Sequence, residues 1–134
     1  KKGVLDVWPD ASGNGVRRRL QVFTRTPNNR GRKQRMRPER VERVKRALKE
    51  AGIEPQNVVV HSAYVLNTAS NDEEKWGRAR DGLAKELERS TALGVGQICF
   101  HPGAATGGDR ASAAKRGATA ITHALETVTG YTRV

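Results

Sequence analysis

One cysteine, Cys99, stands in a chain of 134 residues. That excludes an intrachain disulfide framework and a cysteine-rich zinc site. No apolar run approaches the roughly 20 residues that a membrane-spanning helix needs. No charged, apolar and small-residue sequence of a secretory signal opens the chain, which begins Lys1-Lys2 without a methionine, as a trimmed piece would. The phosphate-cradling patterns GxxxxGK[ST] and GxGxxG are missing. Neither a Ser/His/Asp order nor a closely spaced carboxylate pair stands out. The default expectation is an intracellular protein of one domain, in the cytoplasm or nucleoid of a bacterium, or the nucleus or mitochondrion of a eukaryote.

Acidic residues are scarce in one place in particular. From Arg17 to Lys49 there are eleven Arg and three Lys against Glu39 and Glu42 alone, a net of +12. The whole chain carries +11, so the remainder is nearly neutral. A patch this concentrated favours a polyanion, because displacing condensed counterions makes phosphate binding favourable at moderate salt. A solvated basic face or arm is the plainer alternative.

The apolar content, 36%, suffices for a core, and its pattern alternates between short and long periods. Leu20–Phe23, Val58–Val60 and Gln97–Phe100 are short, β-branched or aromatic, and bounded by turn residues, as strands are. Three helices are expected between and after them. The first runs from Pro38 to Ala51, with Val41, Val44, Leu48 and Ala51 on one face and Gly52 just beyond its end. The second runs from Asp72 to Leu93, with a capping box at Ser70–Glu73, an inner face of Trp76, Ala79, Leu83 and Leu87, and Gly94 closing it. The third runs from Arg110 to Val128, capped by Asp109, with Ala114, Ile121, Leu125 and Val128 inside. Strand and helix thus alternate, which predicts a parallel sheet with right-handed crossovers. Strand ends recur after 37 and 40 residues, at Phe23, Val60 and Phe100. Eight such units would need about 300 residues, the scale of a (β/α)₈ barrel. Three leave an open edge, so the reading is a partial barrel, with Tyr131–Val134 as the start of a fourth strand cut short. Residues 1–19 read as an atypical N-terminal segment and 20–134 as three βα units.

His61 follows one strand directly and His101 follows the next. Both occupy the rim where parallel strands pass into loops and where active sites gather in such folds. Neighbouring strands would bring the two imidazoles together, and imidazole is the commonest zinc ligand. The alternative is that each ring only hydrogen-bonds a loop carbonyl. His123, inside the last helix, reads as structural or exposed, and Cys99 as a buried small hydrophobe. Gly103, Gly107 and Gly108 would let the backbone approach a ligand closely. The loop Ser62–Asn67 sets Tyr64 beside the basic segment, and aromatic rings with bases hold distorted nucleic-acid strands. Ordinary packing over the sheet end is the competing reading of Tyr64.

These residues resemble the endonuclease IV family of zinc-dependent apurinic/apyrimidinic endonucleases. The likeness lies in Val59–Asn67 with its histidine and tyrosine, in Leu87–Gly103 with its Phe-His-Pro-Gly strand end, and in Gln21–Pro27, and it covers most of residues 20–134. It implies a TIM barrel that is a monomer when complete, has three zinc ions at the strand C-termini, and hydrolyses the phosphodiester 5′ to abasic sites in DNA. His61 and His101 match zinc ligands; further ligands, including a glutamate on the next strand, would lie beyond Val134. Tyr64 and Val65 match the loop that enters DNA near the lesion. Arg25 and Arg30 are the expected contacts after the first strand, Arg30 replacing the arginine often found where Asn28 stands. Two rivals share some of these features: a xylose isomerase-like sugar isomerase or epimerase, and a non-catalytic nucleic-acid-binding remnant.

Overall fold

A computed structural model describes residues 4–9, 16–24, 36–130 and 134. Its sheet has four strands in the order β1 (Val4–Pro9), β2 (Val16–Phe23), β3 (Val58–His61) and β4 (Ile98–Cys99). β2, β3 and β4 are parallel, with Leu20 opposite Val58, Val22 opposite Val60, and Val60 opposite Ile98. Helices α1 (Pro38–Glu50), α2 (Glu73–Ala92) and α3 (Arg110–Thr127) alternate with them. This is an arc of an α/β barrel, as the alternation predicts.

The N-terminal end departs from that expectation. β1 pairs antiparallel with β2, from Val4 opposite Gln21 to Pro9 opposite Val16, so a hairpin crosses the boundary expected at residue 19. The run Arg17-Arg18-Arg19 reads as a charge cluster in sequence, which masks its strand character. Strand formation depends on a segment's neighbours in the sheet more than on its own composition, so this run is not barred from a strand. The expected fourth strand at Tyr131–Val134 lies almost wholly outside the described residues.

The parallel sheet has two unlike faces because strand side chains alternate. Val58, Val60 and Ile98 are buried toward the helices with Leu48, Leu83, Leu87, Leu93 and Val95. Complete burial of a leucine such as Leu83 or Leu87 stabilises by roughly 1.5–3 kcal/mol. The opposite face carries Phe23, His61 and Cys99 in one row. Cys99 is therefore exposed, not the buried hydrophobe expected. It alternates with buried Ile98 and points to the open side.

The helix ends explain where each strand begins. α1 and α2 both close in Schellman turns. Gly52 (φ +64°) and Gly94 (φ +74°) supply the left-handed residue, with Ile53 N–H donating to Leu48 O at 2.9 Å and Val95 N–H to Ser90 O at 3.0 Å. At the start of α2 the cap is Asp72, whose carboxylate accepts from Lys75 N–H at 2.9 Å, while Ser70 Oγ accepts from Asp72 N–H. Ser70 is thus a pre-cap turn residue and not the box expected. Asp109 caps α3 through Ser112 N–H at 2.8 Å.

α3 shows a second difference. Its buried residues are Ala113, Gly117, Ala120 and Ala124, while Ala114 and Leu125 are exposed and Ile121 and Val128 half-buried. α3 packs on α2, and a stripe of the smallest side chains lets the helices approach closely. The buried face therefore lies about one residue from the one that side-chain bulk indicates. No described helix is long and apolar enough to cross a membrane.

Candidate metal and nucleic-acid site

Four rings converge where β2, β3 and β4 end. Phe23 closes β2, His61 closes β3, Tyr64 lies in the loop after it, and His101 follows β4 by two residues. The His61 ring centre is 5.2 Å from that of Phe23, 5.1 Å from Tyr64 and 5.2 Å from His101. Tyr64 also reaches His101 at 5.8 Å and Phe23 at 5.6 Å. The register causes this: Phe23 stands directly opposite His61 and His61 opposite Cys99, so the three strand ends are level.

His61 is only 7% exposed, covered by its neighbours, whereas His101 is exposed and Tyr64 retains 55% of its surface. His61 Nδ1 lies 2.9 Å from Ser62 O. A carbonyl oxygen only accepts, so this contact assigns the proton to Nδ1 and leaves the Nε2 lone pair available to a ligand. Such a carbonyl partner is the usual support for a metal-binding imidazole.

The spacing of the two histidines can be tested against a metal. With zinc–nitrogen bonds of about 2.0–2.1 Å, two imidazoles sharing a tetrahedral zinc have ring centres roughly 5 Å apart. The observed 5.2 Å suits that arrangement. Among the described residues no third His, Cys, Asp or Glu joins them to complete a ligand group. The pair therefore fits as two donors and leaves the rest of a tetrahedral shell to be supplied from elsewhere.

Two loops hold the rings in place, and they are bonded to each other. Asn67, Thr68 and Ala69, after β3, contact Pro102 and Ala104, after β4. Thr68 Oγ1 donates to Pro102 O at 2.9 Å and Ala69 N–H donates to the same oxygen at 3.0 Å. Asn67 Oδ1 accepts from Ala104 N–H at 3.2 Å. Arg116 of α3 adds its guanidinium to Ala69 O at 3.1 and 3.3 Å. The close approach expected at Gly103 is real but internal. Its φ is +100°, and a Cβ there would strike the Asn67 side chain and lie 2.8 Å from Asn67 Cα.

Beneath the end of β2 lies a buried polar group that the sequence reading missed. Thr24 Oγ1 donates to Glu86 Oε2 at 2.5 Å and accepts from Arg89 Nε at 3.0 Å. Arg89 Nη2 stands 2.9 Å from Glu86 Oε1, an ion pair without hydrogen-bond alignment. Glu86 and Arg89 sit beside Leu83 and Leu87 on the inward side of α2. Charges three apart on an apolar stripe were the available signal, since burial of either alone is prohibitive.

The remaining expected contacts divide. Val65 is exposed beside Tyr64. Arg25 and Arg30 lie outside the described residues, as do Arg32, Lys33 and Arg35. On α1 the exposed bases Arg40, Arg43, Lys45, Arg46 and Lys49 belong to the same basic segment. His123 is not in this cluster; its Nε2 lies 3.8 Å from Asp81 across α2 and α3.

Residues 19–130 match the sequence pattern of the xylose isomerase-like TIM-barrel family. The chain belongs to that family. Within it, the chain is similar to proteins named "Probable endonuclease 4". It is 36% identical to the one from Acholeplasma laidlawii over 94 residues, covering 70% of this chain and 32% of that protein. It is 37% identical to the Staphylococcus epidermidis protein over 89 residues, covering 66% and 29%. It is 29% identical to the Ureaplasma urealyticum protein over 109 residues, covering 81% and 36%. The chain thus spans about a third of the length of these relatives.

Proposed function

We propose that this member of the family belongs to a DNA-repair endonuclease that hydrolyses the phosphodiester 5′ to an abasic site, with zinc held in part by His61 and His101. The observation that carries the reading is the meeting of His61, His101 and Tyr64 at the C-terminal ends of adjacent parallel strands. Similarity to proteins named as endonucleases supports it.

Each residue has a distinct task. His61 offers Nε2 while Ser62 O fixes its ring and tautomer, and His101 offers its imidazole from the facing loop. When bound, zinc lowers the pKa of a coordinated water and neutralises charge developing on a phosphate. Tyr64, exposed beside the pair, presents a ring to the gap left by a missing base, where the duplex is cheap to unstack. Val65 flanks it in the same loop. The basic segment, with Arg25 and Arg30 in it, neutralises backbone phosphates on either side.

The test is incision. Zinc-supplied protein is incubated with a duplex containing one abasic site, with the intact duplex, and separately with aldose sugars. A cut 5′ to the lesion supports the proposal. Interconversion of aldose and ketose with no preference for the abasic duplex replaces it by the sugar isomerase reading. DNA binding that is neither lesion-selective nor zinc-dependent replaces it by a plain nucleic-acid-binding module.

A further inference from the structure

We infer that Asn67 is a positioning residue, which sets the separation of His61 and His101 by locking the loop after β3 to the loop after β4.

Its amide uses both ends. Oδ1 accepts from Ala69 N–H at 3.1 Å within its own loop and from Ala104 N–H at 3.2 Å in the facing loop, and Nδ2 donates to Ala104 O at 3.3 Å. Two of the three bonds therefore cross between loops and both end on one residue, three positions after His101. Such a paired contact fixes orientation as well as distance. The other cross-loop bonds, from Thr68 Oγ1 and Ala69 N–H, both end on Pro102 O, one residue after His101. Gly103 lies between the two attachment points, with no Cβ and a left-handed backbone, so the Asn67 side chain packs against it. The strand ends alone do not place His101: β4 stops at Cys99, and Phe100 and His101 follow outside the ladder. What returns His101 toward His61 is the tie to the loop containing Asn67.

The inference rests on the two-histidine site proposed above only for its use of zinc; the ring separation itself is read without metal. Three substitutions separate the bonds. Asn67→Ala removes all of them. Asn67→Ser keeps a short acceptor for the local turn to Ala69 N–H but is too short to span to Ala104. Asn67→Asp keeps an oxygen for both N–H groups and gives up only the donated bond.

The measurement has two readouts on the 134-residue chain. The first is the nuclear Overhauser effect between ring protons of His61 and His101 in metal-free protein. The second is zinc affinity by calorimetric titration. Asn67→Ser, which leaves the two bonds to Pro102 O in place, is expected to weaken the ring-to-ring effect markedly while β3 amides stay protected from exchange, and to bind zinc about tenfold or more weakly, the usual cost of removing an outer support. Asn67→Ala should behave likewise, and Asn67→Asp should retain most of both. If Asn67→Ala does not fold, Asn67→Ser decides the matter alone, since its local turn survives. A ring-to-ring effect and zinc affinity unchanged in Asn67→Ser would overturn the inference, even if the melting temperature fell. Marked weakening of the ring-to-ring effect in a protein whose wild type binds no zinc would uphold the positioning role and defeat the zinc reading instead.

Discussion

His61 and His101, forty positions apart in sequence, have ring centres 5.2 Å apart and differ sharply in exposure. The buried ring is fixed by Ser62 O and by contacts with Phe23 and Tyr64. The exposed ring is carried on a loop tied to its neighbour. One ring is thus fixed and the other open to solvent.

Zinc uptake should therefore need both rings. Either His61→Ala or His101→Ala should lower zinc bound per chain, and the wild-type chain should itself hold zinc weakly, because two imidazoles leave a tetrahedral ion half unsatisfied. Calorimetric titration of each protein with zinc reads this directly. Equal affinity in wild type and both mutants would remove the ligand assignment.

Gly103→Ala should be among the most damaging single-methyl changes in the chain. The backbone there is left-handed, and the added carbon meets Asn67 main chain, which cannot swing aside. A loss of roughly 2 kcal/mol is expected, more than the ordinary cost of a side chain at positive φ alone. Chemical denaturation checks the value. A change within about 0.5 kcal/mol, a range typical of surface substitutions, would show that the loop relaxes freely.

The basic segment predicts a steep salt dependence of DNA binding. Neutralising Arg30, Arg32, Lys33 and Arg35 together should flatten the slope of log affinity against log salt by about one unit for each phosphate left without its cationic partner. A slope indifferent to the four changes would assign that stretch to another partner.

Two helix caps contribute to the acid limb of stability. The Asp72 carboxyl lies below its ordinary value of 3.8, first because Lys75 N–H donates to it and then through the Lys75 side chain. Asp109 is lowered in the same way by Ser112 N–H and the Ser112 hydroxyl. A carboxyl whose folded pKa is depressed stabilises above its unfolded pKa, and that contribution is lost as pH falls through the folded value. Stability should hence decline below about pH 4. In the double mutant Asp72→Ala, Asp109→Ala, stability at neutral pH should drop and the acid decline should be shallower. Parallel melting curves of the two proteins across that range would contradict the assignment.

Much of this site could be read in the sequence, for reasons that particular residues make plain. Val58–Val60 and Ile98–Phe100 announce strands, and a histidine immediately after such a run in an alternating α/β pattern has few places to be. The hairpin of β1 was hidden because Arg17–Arg19 resembles a phosphate-binding cluster more than a strand. The inward face of α3 is hard to read because alanine and glycine serve there for closeness and not for apolar area. Asn67 ends the run Val59–Asn67, yet nothing in that run points to a bond with the facing loop. Its role depends on Ala104, 37 residues away, and a side-chain bond between two loops has no periodicity to betray it.

The preference for abasic over intact duplex, measured with wild type and Tyr64→Ala in the presence of zinc, decides whether this ring cluster recognises a missing base. Stacking of the exposed ring into the vacant base position is worth roughly 1–3 kcal/mol, so the binding ratio should fall by about fivefold to a hundredfold or more, while zinc content and melting temperature stay near wild type. A ratio unchanged by the substitution, together with a lowered melting temperature, would mean that Tyr64 serves only to pack the sheet end and takes no part in lesion recognition.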